Sequence, residues 1–392
     1  MEITCWYYII CNVMRQGRRK IFVAMSGGVD SSVSVALLKE RGFDVRGVHI
    51  KMWSDPDIPC NFKEDRYDAM KVAAKLNIPF ETWDLTKEYR EAVVEYMIRE
   101  YAEGRTPNPD VMCNRHIKFG VFLKKALACG ADFVATGHYA RVTCDKKHEI
   151  SSAKHVACRL SLVAAKDKNK DQSYFLWTLM QEQLKRCLFP IGGYTKPEVR
   201  ALAKKFGLPT AEKKESQGIC FIGEINIKEF LKKHIPEERG KVLTTSGKIV
   251  GEHEGLSFYT IGERHGLGIG GGIPFYVAAK DFKTNSLIVG EGPYDEKLFS
   301  KELMVADINW ISGKKPKFPF KCEARIRYRQ PFQEARITNH ELRIKGKDRK
   351  NKSMIRNSKF LVQFDAPQRA VTPGQSVVFY KGEEMLGGGV IV

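Results

Sequence analysis

The stretch GRTPNPDVMCNRHIKFG, beginning at Gly104, sets a carboxylate, Asp110, three residues ahead of a thiol, Cys113. A second thiol, Cys220, stands in KKESQGICFIG between the turn residues Gln217 and Gly218 and the apolar run Ile219, Phe221 and Ile222. Thiolate is the reactive form of cysteine and is only a few per cent populated near neutral pH at an ordinary pKa of about 8.5, so a working thiol needs electropositive surroundings. Arg115, His116 and Lys118 supply such charge directly after Cys113. The competing reading of Cys220 is a small buried apolar side chain. Asp110 and Cys113 read as sharing one Pro-restrained loop, and the competing reading of Asp110 is a helix N-cap or turn residue, because Asn-Pro-Asp strings form turns.

A third stretch, SGGVDSS from Ser26 to Ser32, has the residues of a phosphate cradle. Gly27 and Gly28 let the backbone turn tightly and bring N–H groups close to an anion, while a helix beginning near Asp30 points its positive end at the same place. No G-x-x-x-x-G-K-[ST] string occurs in the chain, so this is not the lysine-bearing nucleotide loop. A serine-rich cradle without lysine suits pyrophosphate as a leaving group, and attack at the α-phosphorus would leave an adenylate on the substrate.

These residues need a frame. IFVAM reads as a buried strand that enters the cradle, and Val33, Ala36 and Leu37 recur at helical spacing until Gly42. DVRGVHIKMW and FETWDL are further strands, with EDRYDAMKVAAKLN as a helix between them and EYREAVVEYMIREYAEG as a long helix after. FGVFLKKALACGADFVATGH repeats helix then strand. Such alternation predicts a doubly wound parallel sheet whose ligands bind beyond the carboxyl ends of its strands. After about Gly218 the texture turns to short Gly-rich segments and strands, which predicts small, largely β modules. GLGIGG from Gly266 formally matches G-x-G-x-x-G, yet Gly272 and Pro274 stand where a helix would have to start, so it reads as a loop.

The chain has 392 residues, enough for two or three domains, and a formal net charge of +19, which favours a polyanionic partner, nucleic acid first. From Ile311 to Phe360 there are 16 Lys and Arg against 4 Asp and Glu. No apolar run is long enough to span a bilayer, so no membrane role is expected. Ten cysteines contain no C-x-x-C pair, which removes a zinc ribbon or cysteine-ligated cluster and suits a reduced, intracellular chain. The first twenty residues hold four basic residues against one Glu, as a short organellar presequence or a basic extension would.

SGGVDSS is similar to the motif of the PP-loop ATP pyrophosphatases. With GRTPNPDVMCNRHIKFG, ATGHYAR from Ala135, KDQSYFL from Lys170, ESQGICFIG from Glu215 and TPGQSVVFYKGEEMLGGGVI from Thr372, the chain resembles the tRNA-specific 2-thiouridylases from Ile21 to Val392. The resemblance implies an α/β PP-loop domain (HUP-like, residues 21–218) after an N-terminal extension (1–20). A small, mostly β central domain (219–295) and a C-terminal β-barrel that binds tRNA (296–392) complete it.

It implies ATP-dependent 2-thiolation of the wobble uridine, position 34 of the tRNA, in the tRNAs for Lys, Glu and Gln. The uracil C2 oxygen is adenylated and then displaced by sulfur from a cysteine persulfide. Carried over, Cys113 is the nucleophile, Cys220 the persulfide carrier and Asp110 the acid/base group. Cys113 either attacks the base or releases sulfide by forming a disulfide with Cys220.

ATP would meet Val23, Ala24, Met25, Ser26, Gly27, Gly28, Val29, Asp30 and Ser31, with Ile50 and Gly137. The tRNA would meet Asn108, Pro109 and Asp110, then Lys170, Asp171 and Gln172, and Arg327 and Tyr328 on the barrel. Mg²⁺ is expected with the triphosphate, without a dedicated protein cage or a metal-ligand set. A cysteine desulfurase relay is the implied sulfur source, and the chain is expected to be monomeric.

The basic N-terminus and the lysines before ESQGICFIG resemble the mitochondrial branch, so a mitochondrial address is expected, otherwise a cytoplasmic one. HELRIKGKDRKNKSMIRNSK reads as a basic insertion between strands. The alternatives are a PP-loop amidoligase of the GMP synthetase or argininosuccinate synthetase type, which needs no second cysteine, and an RNA-binding relative without catalysis.

Overall fold

Strand β1 (Lys20–Ala24) carries Ile21, Phe22 and Val23 with no exposed surface at all, as a central parallel strand covered on both faces must. The computed structural model describes residues 19–57, 61–144, 159–214, 227–270, 272–340 and 359–392. Around β1 run β2 (Asp44–Lys51), β3 (Phe80–Asp84), β4 (Phe133–Ala135) and the short β7 (Cys187–Leu188), all parallel, in the order β3-β2-β1-β4-β7. Helices Val29–Glu40 and Phe62–Lys75 lie within this alternation where expected. The order reverses direction between β1 and β4, which opens a crevice at the carboxyl ends of those two strands.

The helix expected over EYREAVVEYMIREYAEG runs from Thr86 to Ala102 and widens to π-helical turns at Arg90–Val94. Among its described residues the Gly266 loop leads to β10 (Phe275–Asp281) with no helix, and its Leu267 is buried. β10 belongs to a four-stranded sheet with β8 (Gly240–Thr244), β9 (Ile249–His253) and β11 (Ser286–Glu291), in the order β10-β11-β8-β9.

The last third closes on itself. Strands β12 (Phe299–Trp310), β13 (Phe320–Arg325), β14 (Gln333–His340), β15 (Lys359–Arg369), β16 (Ser376–Lys381) and β17 (Glu384–Ile391) pair antiparallel in the order β12-β15-β14-β13-β16-β17. A β12–β17 pairing makes this a six-stranded barrel, which removes the exposed edges an open sheet would have. Its interior is filled by Leu303, Val305, Ile337, Val362, Val377 and Phe379.

One hairpin crosses the domains. β5 (Arg141–Cys144) and β6 (Leu160–Val163) leave the parallel domain, and β6 pairs with β17 at Val163↔Glu384 and Leu162↔Met385. The barrel sheet is thereby extended by strands from the first domain. Most of the N-terminal extension, the segment that carries Cys220 and nearly all of the basic insertion fall outside the described residues.

Candidate active site

Because β1 and β4 flank the point where the sheet order reverses, the turns that follow them meet. Ser26 Oγ and Ser31 Oγ lie 3.3 Å apart, Ser31 Oγ donates to the Gly28 carbonyl at 3.1 Å, and the Gly28 N–H donates to Ser26 Oγ at 3.4 Å. Helix Val29–Glu40 starts from Gly28 with no side-chain cap, so its first-turn N–H groups find no acceptor within the helix.

A Cβ on Gly27, whose φ is +81°, would sit 2.2 Å from the Asp65 carbonyl oxygen, and one on Gly137 would sit 2.7 Å from the Ser31 nitrogen. Only glycines let helix Phe62–Lys75 and the ATGH turn close on the cradle. A chain of phosphates fits this set of hydroxyls and backbone N–H groups.

Of the residues assigned to ATP, Ser26, Gly27, Gly28, Asp30, Ser31 and Gly137 border this recess. Ala24 ends β1, while Val23, Met25, Val29 and Ile50 are packed into the hydrophobic cores. Met25 has both backbone groups engaged, its N–H on the Val48 carbonyl at 2.8 Å and its carbonyl on His49 Nδ1 at 2.8 Å. No group of three or more His, Cys, Asp or Glu side chains arranged to hold a metal occurs among the described residues.

The stretch that carries Asp110 and Cys113 departs from the loop expected of it. Asn108 caps a helix, its Oδ1 accepting from the Val111 N–H at 3.3 Å, and Pro109 takes the first helical position, where its missing N–H costs nothing. The run Pro109–Met112 continues through π-helical Cys113–Phe122 into Leu123–Ala128, driven by burial of Ile117, Phe119 and Phe122. Asp110 and Cys113 therefore stand in the first turns of a helix, Asp110 in its α-helical start and Cys113 where it widens to the π-form that gathers at functional sites.

Cys113 is 5% exposed, whereas Asp110 keeps contact with solvent. Protein atoms nevertheless crowd the Asp110 carboxyl. This partial desolvation pushes its pKa above the ordinary carboxylate range, and the Lys118 charge opposes the shift.

Lys118 joins this helix to the cradle. Its Nζ donates to His138 Nε2 at 3.4 Å, so the ring proton is on Nδ1, which lies 2.7 Å from Thr136 Oγ1. Burial holds His138 neutral, its pKa well below the ordinary value, with the Lys118 charge acting in the same direction. His138 follows the Gly137 that packs on Ser31, so thiol helix and cradle are linked by a short chain of contacts.

The barrel fixes the approach to this helix. The Thr106 N–H donates to the Pro373 carbonyl at 2.8 Å, and Gln375 Nε2 donates to the carbonyls of Thr106 at 2.9 Å and Pro107 at 3.1 Å. Thr106 Oγ1 also lies 3.2 Å from Thr260 Oγ1 of the central module. Asn108 to Cys113 thus project from the junction of all three modules, and the TPGQ string at 372–375 is the barrel's hold on them.

The residues assigned to tRNA separate into two kinds. Asp171 is 1% exposed and its carboxylate accepts from the N–H groups of Ala165 at 3.0 Å and Ser173 at 3.2 Å and from Arg325 Nη1 at 3.1 Å. Gln172 exchanges hydrogen bonds with the Tyr139 backbone. Both hold the 171–176 segment between the parallel domain and the barrel; Asp171 is shut off from solvent, while Lys170 and Gln172 are each half-buried. Arg327 is exposed at the end of β13, and Tyr328 packs against Phe175 with ring centroids 4.8 Å apart.

Cys220 lies outside the described residues, but both flanks of its segment are anchored. Lys213 pairs with Asp65 and Asp68 at 2.7 Å each, on the helix that closes over Gly27. On the far side Lys233 pairs with Asp57 at 2.7 Å and Asp55 at 3.3 Å, just beyond β2.

Sequence reasoning missed Lys196 altogether. Its Nζ donates to both carboxylate oxygens of Asp30, at 2.8 and 2.9 Å, and Tyr139 OH donates to the same group at 2.9 Å. Nothing in TKPEVR marks that lysine, which arrives from 166 residues along the chain.

Comparison with known proteins agrees with this three-part layout. Residues 19–224 match the tRNA methyl transferase HUP domain, 228–291 the tRNA methyl transferase PRC-barrel domain and 300–391 the aminomethyltransferase beta-barrel domain. The tRNA-specific 2-thiouridylase MnmA 2 of Geobacillus kaustophilus is 48% identical over 95% of this chain and 94% of its own length. The MnmA of Streptococcus sanguinis is 46% identical over 95% of each. A solved U34-tRNA thiolase from Methanococcus maripaludis aligns far more loosely, at a TM-score of 0.33 and 17% identity over 56% of this chain and 69% of its own. Two relatives near half identity along almost the whole length decide the matter: the chain belongs to the tRNA-specific 2-thiouridylase MnmA family.

Proposed function

We propose that this protein is an ATP-dependent tRNA-uridine 2-sulfurtransferase that replaces the C2 oxygen of the wobble uridine by sulfur, in the tRNAs for Lys, Glu and Gln. The observation that carries this reading is the linkage of two chemistries. The helix bearing Asp110 and Cys113 touches, through Lys118 and His138, the turn that closes the phosphate cradle.

In that reading the C2 oxygen attacks the α-phosphorus of ATP, pyrophosphate leaves, and the oxygen becomes part of a departing AMP. Sulfur comes from a persulfide on Cys220. Either its terminal sulfur attacks C2 as AMP leaves and Cys113 then attacks Cys220 Sγ, breaking the S–S bond and leaving the sulfur on C2, or Cys113 first displaces it as sulfide, which attacks C2. Both routes leave a Cys113–Cys220 disulfide for a thiol reductant to reopen. Asp110 moves the proton at the uracil. Mg²⁺ accompanies the triphosphate.

Chemistry on a base requires lifting it from its stack, which an anticodon loop permits at low cost. Asn108 and Pro109 border the place where the base would sit, and Lys170, Arg327 and Tyr328 meet the backbone. A persulfide relay from a cysteine desulfurase supplies the sulfur, the protein acts as a monomer, and the basic N-terminus supports a mitochondrial address. An amidoligase would have no use for Cys220 or a basic barrel, and a non-catalytic RNA binder would have none for the cradle.

The test is to incubate the protein with ATP, Mg²⁺, a persulfide donor and unmodified tRNA, then to digest the tRNA and look for 2-thiouridine by mass spectrometry. Absence of 2-thiouridine with the wild type would sink the reading. Full activity of Cys113→Ser or Cys220→Ser would refute the paired-sulfur route while leaving the function standing.

A further inference from the structure

The phosphate cradle from Val23 to Ser31 contains one charged side chain, and it has the wrong sign for a triphosphate: Asp30. Its carboxylate stands in the first turn of helix Val29–Glu40, where a polyphosphate on the same helix end would feel its repulsion. The structure meets this with a cation from elsewhere. Lys196 binds both Asp30 oxygens through Nζ, at 2.8 and 2.9 Å, and Tyr139 OH fixes the first of them at 2.9 Å.

The lysine is held for this position. Its side chain is 11% exposed against 32% for Asp30, so the pair sits at the cradle's wall with the carboxylate outermost. Its own N–H donates to Asp167 Oδ2 at 2.9 Å, and it opens helix Lys196–Lys205 behind a Thr195–Glu198 capping box and ahead of Pro197. That rigid helix start fixes where the flexible stem begins. An ammonium on four carbons pivots easily between neighbouring anions, and it is the point charge that phosphate loops elsewhere take from a lysine of their own.

We infer that Lys196 is the cradle's missing lysine: it turns from Asp30 to the β- and γ-phosphates of ATP and sets the preference for triphosphate over monophosphate. The inference rests on the ATP-dependent reading above and assigns a binding residue to it. Lys196 is a charge reader here, not a proton donor.

Equilibrium binding of ATP, pyrophosphate and AMP to the full chain in EDTA, where no metal contributes, tests this. Wild type, Lys196→Met, Lys196→Arg and the double variant Asp30→Asn with Lys196→Met are compared, with thermal melting as the check on folding. Loss of one charge-assisted contact predicts that Lys196→Met weakens ATP and pyrophosphate by roughly ten-fold or more and AMP by less than about two-fold, while Lys196→Arg keeps most of the preference.

The double variant is expected to stay weak for ATP. Recovery of wild-type ATP affinity in it would reduce Lys196 to a shield for Asp30 and overturn the inference, as would equal weakening of ATP and AMP. Should Lys196→Met fail to fold, unchanged ATP selectivity in a folded Lys196→Gln would overturn it equally. Failure of the wild type to bind ATP at all would instead strike the ATP-dependent reading itself.

Discussion

Gln375, at the tip of a barrel loop, donates from its Nε2 to the carbonyl oxygen of Thr106 at 2.9 Å, and so holds from another module the backbone that leads into Asp110 and Cys113. A second bond from the same nitrogen reaches the Pro107 carbonyl at 3.1 Å. The helix that carries Asp110 and Cys113 is therefore aimed by the barrel.

Gln375→Ala strands two carbonyls, a loss of about 1–3 kcal/mol in the local fit. Gln375→Glu adds a charge that can only repel them. The thiolation rate is expected to fall in the order Gln, Ala, Glu, with tRNA affinity much less affected. Parallel losses of rate and affinity, measured by single-turnover thiolation and filter binding, would show that Gln375 acts through RNA contact instead.

The ion pair of Asp171 and Arg325 gives a second separation. It is buried at 1% and 8% side-chain exposure, and the Arg325 guanidinium also lies 3.8 Å from the Phe332 ring centroid. Removing one member leaves the other charged and dry, at a cost on the order of 3–5 kcal/mol. Asp171→Ala is thus expected to lower the melting temperature sharply, and Asp171→Leu with Arg325→Met to recover much of that loss. A variant that melts like wild type but binds tRNA weakly would return Asp171 to the RNA surface.

Much of this arrangement was legible in the chain. Strand β1 announced itself as an unbroken apolar run, β2 and β3 by their alternation with helices, and the cradle as Gly-Gly-Val-Asp between strand and helix. The helical start at Asn108 was legible too, because Asn followed by Pro is a cap followed by its preferred first residue, although Asn-Pro-Asp equally suits a turn. Lys196 on Asp30, Arg325 on Asp171 and the β5–β6 hairpin on β17 were not legible. Each joins segments more than 150 residues apart in the chain, and no period or spacing records such a meeting. The family motifs KDQ and TPGQ were visible as strings, but their work in seating the barrel shows only when the partners are in view.

Lys280 carries a pH dependence of stability. Its Nζ donates to the Gly104 carbonyl at 3.0 Å, at the seam between the central module and the segment that leads to Asp110, and burial pushes the ammonium down to about 8, with Glu263 opposing. The folded pKa is lower than the unfolded one, so below pH 8 both states are protonated and the full penalty for burying the charge applies. Between about 8 and 10.5 the unfolded chain holds the extra proton and stability rises with pH. Lys280→Met lacks this rise. Melting temperature measured from pH 7 to 10 should change in favour of the wild type relative to Lys280→Met, and a constant gap between them would exclude the titration.

The last prediction concerns what Lys118 does for Asp110. Partial desolvation raises the Asp110 pKa and the Lys118 ammonium pulls it back, so the carboxylate is kept ionised at a lower pH than it would be alone. If Asp110 accepts the proton at the uracil, activity needs its ionised form, and the acidic limb of the pH–rate profile reports its pKa. Lys118→Met removes the opposing charge. The limb is then expected to move to higher pH, with the rate on the alkaline plateau reduced less than the rate at pH 6. Lys118→Arg keeps the charge and should keep the limb in place, even though its fork cannot reproduce the single contact to His138. Asp110→Asn should abolish the limb together with most of the rate. A limb that persists in Asp110→Asn belongs to another group, and one that stays put in Lys118→Met would mean that the ammonium serves the cradle through His138 and not the carboxylate beside Cys113.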